Sequence, residues 1–131
     1  MGIRGILVHL DSTPRSVVRL GLATELAMRH GAYLIGLYVT PPVPSADEQR
    51  DASAMSEEFH GWIRQQGIDG EWRPARGSAV DALTMHGRCT DLIVIGQHDP
   101  ERHQGDLAEK QFVEILGRIG RPILAVPYMR A

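Results

Sequence analysis

The segment Asp91-Leu92-Ile93-Val94-Ile95-Gly96-Gln97-His98-Asp99 is a short apolar run that begins after an acid and ends at a glycine. Four branched apolar residues in succession leave no polar face, which is typical of a strand covered on both sides in a parallel sheet. In such folds ligands collect where the chain leaves the carboxyl end of a central strand. We therefore expect any binding site at Gly96 and in the residues that follow it, up to Gly105.

Length and charge limit the classes of function. A chain of 131 residues is expected to form one domain, 1–131, with a sizeable core. A formal charge of −2 provides no basic surface, so neither nucleic acid nor an anionic membrane is expected as a partner. The lone cysteine, Cys89, excludes an intramolecular disulfide, and we expect it to pack at the end of a helix. No apolar segment approaches the roughly 20 residues of a membrane span. These features predict a cytoplasmic protein.

Four further segments have the composition of strands. Residues 5–10 and 32–39 are nearly continuous apolar runs. Residues 71–74 form a weaker strand, placed near a sheet edge because Pro74 cannot donate a ladder hydrogen bond. Residues 123–126 form the last strand.

Helical patterns separate these strands. Thr13 followed by Pro14 indicates the start of the first helix, with Thr13 as the N-cap residue. Val18, Leu22 and Leu26 recur at helical spacing, with Ala23 and Ala27 alongside, and we expect this apolar stripe to face the core.

Three more helices follow in the same alternating order. Ser45 and Ser78 each stand in capping position before a helix, and a last helix is predicted over residues 107–119. Strands and helices that alternate in this way predict an α/β fold. We expect a five-stranded parallel sheet with helices on both faces, a Rossmann-like arrangement.

Several segments, in this order and spacing, resemble a known family. They are Ile6-Leu7-Val8 before Asp11, Gly31-Ala32 before the second strand, Gly77-Ser78-Ala79-Val80 after the third, Asp91 to Gly96 as the fourth, and Arg121-Pro122-Ile123-Leu124-Ala125-Val126 as the fifth. The chain is thereby similar to the universal stress protein (UspA-like) family over essentially its whole length. The resemblance implies the strand order 3-2-1-4-5, in which Asp11 and Gly96 lie on facing sides of one crevice.

The family contains members that bind ATP and members that do not. The binders carry the pattern G-x2-G-x9-G-[S/T] after the fourth strand, and counting from Gly96 places Asp99, Glu109 and Lys110 at its later positions. Phosphate is bound by bare backbone amides and positive charge, whereas two carboxylates here would each repel it by about 1 to 4 kcal/mol. We therefore expect the class that lacks the ATP motif, with no cofactor. ATP binding remains the alternative, since Lys110 can reach a phosphate.

The resemblance also implies which residues line the crevice. Asp11, Val39 and Gly96 match family positions at the adenosine end, which leaves room for a nucleoside or another small ligand. The candidate set for the ligand crevice is Asp11, Val39, Ile95, Gly96, Gln97 and His98. Three of these residues also have purely structural explanations. Asp11 can end the first strand, Gly96 can permit a tight exit, and Val39 can be a core residue.

Catalytic and metal-binding patterns are weaker. His98, Asp99 and His103 are possible metal ligands, but no spacing organises them, and we expect a solvated loop without a metal. His9 is expected to be a core histidine with its hydrogen bonds satisfied. Ser12 lacks the glycine-flanked elbow of a nucleophile, so an enzyme is not indicated. An enzyme centred on His98 and His103 stays as a minor alternative.

The last strand indicates a partner. In the resembling family this strand pairs with its counterpart in a second subunit, or in a second domain of a tandem chain. We expect a homodimer through Ile123, Leu124, Ala125, Val126 and Tyr128, limited by Pro127, with an unpaired edge as the alternative. The resemblance as a whole implies a regulatory or binding module of a stress response, with an unidentified protein partner. The competing hypothesis is a nucleotide-binding switch, or weak ATPase, that uses the same crevice.

Overall fold

The computed structural model describes residues 2–96 and 117–126. The described strands and helices are β1 (Gly5–Leu10), α1 (Arg15–His30), β2 (Tyr33–Thr40), α2 (Ala46–Gln66), β3 (Gly70–Arg76), α3 (Ala79–Gly87), β4 (Leu92–Gly96) and β5 (Ile123–Val126). The five strands are parallel and lie in the order β3-β2-β1-β4-β5. The α/β fold and the strand order expected from the sequence are both confirmed.

The sheet has a core on each face. Val8 and Leu10 of β1 pack with α1 and α2 on one side, whereas Leu7 packs with α3 on the other. The predicted double-sided burial of β4 is confirmed, because Ile93, Val94 and Ile95 have no exposed surface. The pair β1 and β4 therefore forms the centre of the sheet, and the carboxyl ends of both strands lie together.

Helix ends follow the local sequence in α2 and α3. The Ser45 hydroxyl accepts a hydrogen bond from the amide of Glu48, and the Glu48 carboxylate accepts one from the amide of Ser45. Ser78 caps α3 by accepting from the Asp81 amide. Gly67 ends α2 with a φ of 68°, a left-handed conformation that glycine adopts without steric cost. Both predicted capping positions are confirmed.

The start and the buried face of α1 differ from the sequence prediction. Thr13 does not cap the helix, because its hydroxyl donates to the Asp11 carboxylate instead. Val18, predicted to face the core, is 62% exposed, whereas Arg19 is 2% exposed. The helix is rotated so that Arg19 reaches Asp11, and this rotation turns Leu20 inward.

Three smaller predictions have mixed outcomes. Cys89 is exposed rather than packed, since the next residue, Thr90, takes the buried position and donates to the Gly87 carbonyl. β3 is an edge strand as expected, and it extends beyond the predicted 71–74. Of the predicted last helix, residues 117–119 are helical and the rest lies outside the described residues.

The part of the chain described here contains no helix long and apolar enough to cross a membrane.

Candidate functional site

Asp11 follows β1 directly and organises the turn into α1. Its Oδ1 atom accepts hydrogen bonds from the Thr13 amide, at 2.9 Å, and from the Thr13 hydroxyl. Its own amide donates to the Ser16 hydroxyl at 2.7 Å. This arrangement agrees with the structural explanation of Asp11 as the residue that ends the first strand. The carboxylate nevertheless remains at the mouth of the sheet.

Arg19 makes a buried ion pair with Asp11. The Arg19 Nη2 atom donates to Asp11 Oδ2 at 2.7 Å, and the two side chains are 2% and 9% exposed. The guanidinium also lies against Gly96, where an added Cβ atom would be 2.9 Å from Nη1 and 3.1 Å from Cζ. Gly96 is therefore needed for this close approach. Asp11 and Gly96 do lie together, as expected, but the Arg19 side chain joins them.

His9 lies near this ion pair inside the protein. The pKa of its imidazole is lowered from 6.5 to about 4, first by burial and then by the positive charge of Arg19, and the Asp11 carboxylate opposes both effects. The ring is therefore neutral at physiological pH. Its predicted place in the core is confirmed, but among the described residues its Nδ1 atom has no hydrogen-bond partner.

Two adjoining cavities lie beside Asp11, and we call them together the crevice. The larger, of about 390 Å³, is lined by Asp11, Ser12, Tyr38, Val39, Thr40, Pro41, Glu48 and Asp51. The smaller, of about 260 Å³, shares Asp11, Ser12 and Asp51 with it. A further cavity of about 420 Å³ lies at the opposite end of the sheet. We assign the ligand site to the crevice, because ligands of parallel α/β sheets bind at the carboxyl ends of the strands.

The crevice is acidic. Asp11, Glu48 and Asp51 all contribute carboxylates to the larger cavity. The pKa of the Tyr38 phenol is raised in this environment. Burial is the largest cause, the three carboxylates raise the pKa further, and a hydrogen bond with Ser12 opposes them. Arg19 directs its positive charge to Asp11, and Glu48 and Asp51 are the other charged residues that line the larger cavity within the described part of the chain.

The predicted crevice residues have different positions in the structure. Asp11 and Val39 line the larger cavity, and Gly96 contacts Arg19. Ile95 is fully buried in the core beside Leu7 and lines neither cavity. Gln97, His98, Asp99, Glu109 and Lys110 lie outside the described residues.

Arg19 and the acids of α2 were missed by the sequence interpretation. Arg19 was not considered, yet it is four residues before Ala23 and one before Leu20, on the face that becomes buried. That spacing was a usable signal. Glu48 and Asp51 gave no signal, since acids near a helix start are ordinary. Within residues 2–96 and 117–126 no group of three or more His, Cys, Asp or Glu could hold a metal ion.

No model of a protein family matches the sequence, and no curated protein matches it either. Solved structures do match. A universal stress protein in complex with cAMP is 23% identical, with a TM-score of 0.77 and coverage of 98% of this chain and 100% of that one. A universal stress protein from Archaeoglobus fulgidus in complex with dAMP is 17% identical, with a TM-score of 0.72 and coverage of 95% and 98%.

A third match comes from a plant. A universal stress protein family protein from Arabidopsis thaliana with AMP bound is 14% identical, with a TM-score of 0.70 and coverage of 96% of this chain and 92% of that one. At these identities the similarity concerns the fold. The resemblance found in the sequence is therefore confirmed at that level, and the chain has the universal stress protein fold.

Proposed function

We propose that this protein is a regulatory binding module of a stress response, with a ligand site in the crevice. The ligand is of nucleoside size, and ATP is not bound with its phosphates beside residues 99 and 109. The observation that carries this proposal is the charge of the crevice: Glu48 and Asp51 line its larger cavity, whereas Arg19 lines neither cavity and is engaged by Asp11.

Electrostatics supports a ligand without a polyphosphate. A phosphate charge a few ångströms from one carboxylate is repelled by about 1 to 4 kcal/mol. A triphosphate carries several such charges, so its total repulsion is larger. The sequence adds Asp99 and Glu109 at positions where the ATP-binding pattern has glycine. An uncharged nucleoside avoids these costs and still gains from burial beside Tyr38 and Val39.

Size and similarity support the nucleoside class. A cavity of about 390 Å³, with a second of about 260 Å³ beside it, accommodates a base and a sugar. Proteins with the same fold have been solved with cAMP, dAMP and AMP, and each of these ligands carries a single phosphate.

The proposal is tested by thermal unfolding with ligand. Millimolar ATP should leave the melting temperature of the native chain unchanged, whereas adenosine should raise it. The variant Asp99→Gly, Glu109→Gly, Lys110→Ser restores the ATP pattern and should gain a shift with ATP. If the native chain is stabilised by ATP as strongly as this variant, the proposal fails.

The second candidate is a nucleotide-binding switch, or weak ATPase, in the same crevice. The solved AMP and dAMP complexes favour it, together with Lys110 as a residue able to contact phosphate. This candidate predicts that ATP or AMP stabilises the native chain and that Lys110→Ala abolishes the effect. For the weak ATPase, ADP should also accumulate slowly. Absence of a shift with both ATP and AMP removes the candidate.

We further propose a homodimer through β5. This strand pairs with β4 on one side and lies at the edge of the sheet, and Leu124 on it is 36% exposed. An apolar edge that is left unpaired promotes aggregation, so pairing with a second copy is the protective arrangement. Tyr128, also expected at this edge, lies outside the described residues.

We place the protein in the cytoplasm, since its lone cysteine suits a reducing compartment.

A further inference from the structure

Arg19 occupies an unusual place for a charged residue. It projects from the second turn of α1 into the sheet rather than to solvent, and 2% of its surface is exposed. An arginine is almost never fully buried without a partner, and Asp11 is that partner. Among the described residues its Nε atom makes no hydrogen bond. The side chain lines neither cavity of the crevice, and its guanidinium lies between the Asp11 carboxylate and the backbone of Gly96.

The pair leaves Asp11 little capacity for a ligand. A carboxylate has about four acceptor positions. The Thr13 amide and hydroxyl take those of Oδ1, and the Arg19 guanidinium takes one of Oδ2. The side chain is 9% exposed, so the remaining position is hardly accessible. A carboxylate in a crevice is otherwise a natural acceptor for the hydroxyl groups of a sugar.

We propose that Arg19 determines the specificity of the crevice through Asp11: its guanidinium, held between Asp11 and Gly96, occupies the carboxylate and prevents it from binding ligand hydroxyls. This inference rests on the proposed function, because it concerns the same site. The ligand is then recognised at the mouth, by Tyr38, Ser12 and Thr40, and not by the Asp11 carboxylate.

The inference is tested with adenosine and 2′,3′-dideoxyadenosine, which differ by the two sugar hydroxyls. The native chain should bind the two with affinities within about twofold of each other in a calorimetric titration. Arg19→Met keeps a long side chain but removes the guanidinium, and it should prefer adenosine by about tenfold or more. The double variant Arg19→Met, Asp11→Asn should lose that preference, since the carboxylate that gained the contact is gone.

A structural role alone would not move this preference between two ligands. Circular dichroism and a thermal melt establish that each variant is folded. If Arg19→Met does not fold, Arg19→Lys replaces it: the smaller ammonium keeps the charge beside Asp11 and opens the space over Gly96, so an intermediate preference for adenosine is expected.

The outcomes separate this inference from the proposed function. If the native chain binds neither compound and Arg19→Met prefers adenosine, the inference holds and the proposed ligand class fails. If the native chain binds both and Arg19→Met binds them with unchanged or weaker affinity, the proposed function holds and the inference is wrong. A native chain that already prefers adenosine, and loses the preference in Asp11→Asn, also overturns it.

Discussion

Arg19 and Asp11 form a buried ion pair. Asp11 lines the crevice, and the pair also contributes to the stability of the protein. Removing two charges from water is costly, and the cost is recovered only when both partners are present and well bonded. At 2.7 Å, with the side chains 2% and 9% exposed, the pair meets that condition.

Breaking the pair should be more harmful than removing it. Arg19→Met and Asp11→Asn should each lower the free energy of unfolding, by about 3 to 5 kcal/mol, because each leaves a buried charge without its partner. The double variant should lose less than the sum of the two, with a coupling of about 1 to 3 kcal/mol. Urea unfolding of the four proteins measures this coupling. Additive losses would show that the pair contributes no interaction of its own.

His9 should make the stability depend on pH. Its pKa is about 4 in the folded protein and 6.5 in the unfolded chain. Between these values the unfolded chain binds a proton that the folded protein does not. Stability is therefore complete above pH 6.5 and falls as the pH is lowered to 4, by about 3 kcal/mol from this residue.

Urea unfolding across that range provides the measurement, with His9→Gln as the comparison. His86, whose pKa is also lowered by burial and by Arg73, keeps its contribution in both proteins. The variant should show a flatter profile between pH 6.5 and 4. If the free energy of unfolding falls equally with pH in the two proteins, His9 is not the cause of the loss of stability in acid.

At the scale of elements, α2 depends on a glycine in β2. Gly36 faces Phe59, and an added Cβ atom would lie 2.7 Å and 2.8 Å from two atoms of the phenyl ring. Phe59 has no exposed surface and packs against Trp72, with ring centroids 5.8 Å apart. The ring therefore cannot move without disturbing the core between the helix and the sheet.

Gly36→Ala should destabilise the protein by about 1 to 3 kcal/mol, because it overpacks the core at Phe59. Gly61→Ala is the matched control: this glycine lies in α2 with no atom within 4 Å of the added Cβ. The control should stabilise by about 0.5 to 1 kcal/mol through helix propensity. The denaturant midpoints of the two variants, each compared with the native chain, show whether each substitution stabilises or destabilises the protein. Stabilisation by Gly36→Ala would contradict the packing described for Phe59.

The elements differ in how far the sequence predicted them. Where a local sequence pattern alone determines the structure, as at the Ser45 capping box or the apolar run of β4, the prediction is confirmed. The face of α1 was predicted in part: Ala23 and Ala27 are buried as expected, but Val18 is exposed. Helical periodicity allows two neighbouring faces, and the contact between Asp11 and Arg19, eight residues apart, selects one of them. Such a choice depends on tertiary contacts that a local pattern does not contain.

At the scale of the whole molecule, the strand order came from the resemblance, whereas alternation alone predicted only the parallel sheet. The sequence interpretation placed a crevice at the carboxyl ends of the strands, and its ligand-binding role stays a prediction, but the interpretation did not include the acids of α2. The expected crevice residues followed β1, β2 and β4, and the acids that line the mouth, Glu48 and Asp51, come from α2. Their approach to Asp11 depends on how α2 packs, which no short motif records.

The proposed dimer gives a prediction at the same scale. Leu124→Asp places a charge on the exposed side of β5 and should convert the dimer to a monomer, because a charge is costly at a buried edge. Met85→Asp is the control, since Met85 is 67% exposed on α3, away from β5. Native mass spectrometry gives the subunit count of each protein. A native chain that is monomeric, or a dimer that survives Leu124→Asp, would contradict the proposal.

The central claim is that the crevice accepts a nucleoside and rejects a polyphosphate. Calorimetric titration of the native chain with adenosine and, separately, with ATP and magnesium tests it most directly. We expect adenosine to bind tighter by about tenfold or more, a difference of about 1.4 kcal/mol at least. ATP binding as tightly as adenosine, or tighter, would contradict the claim.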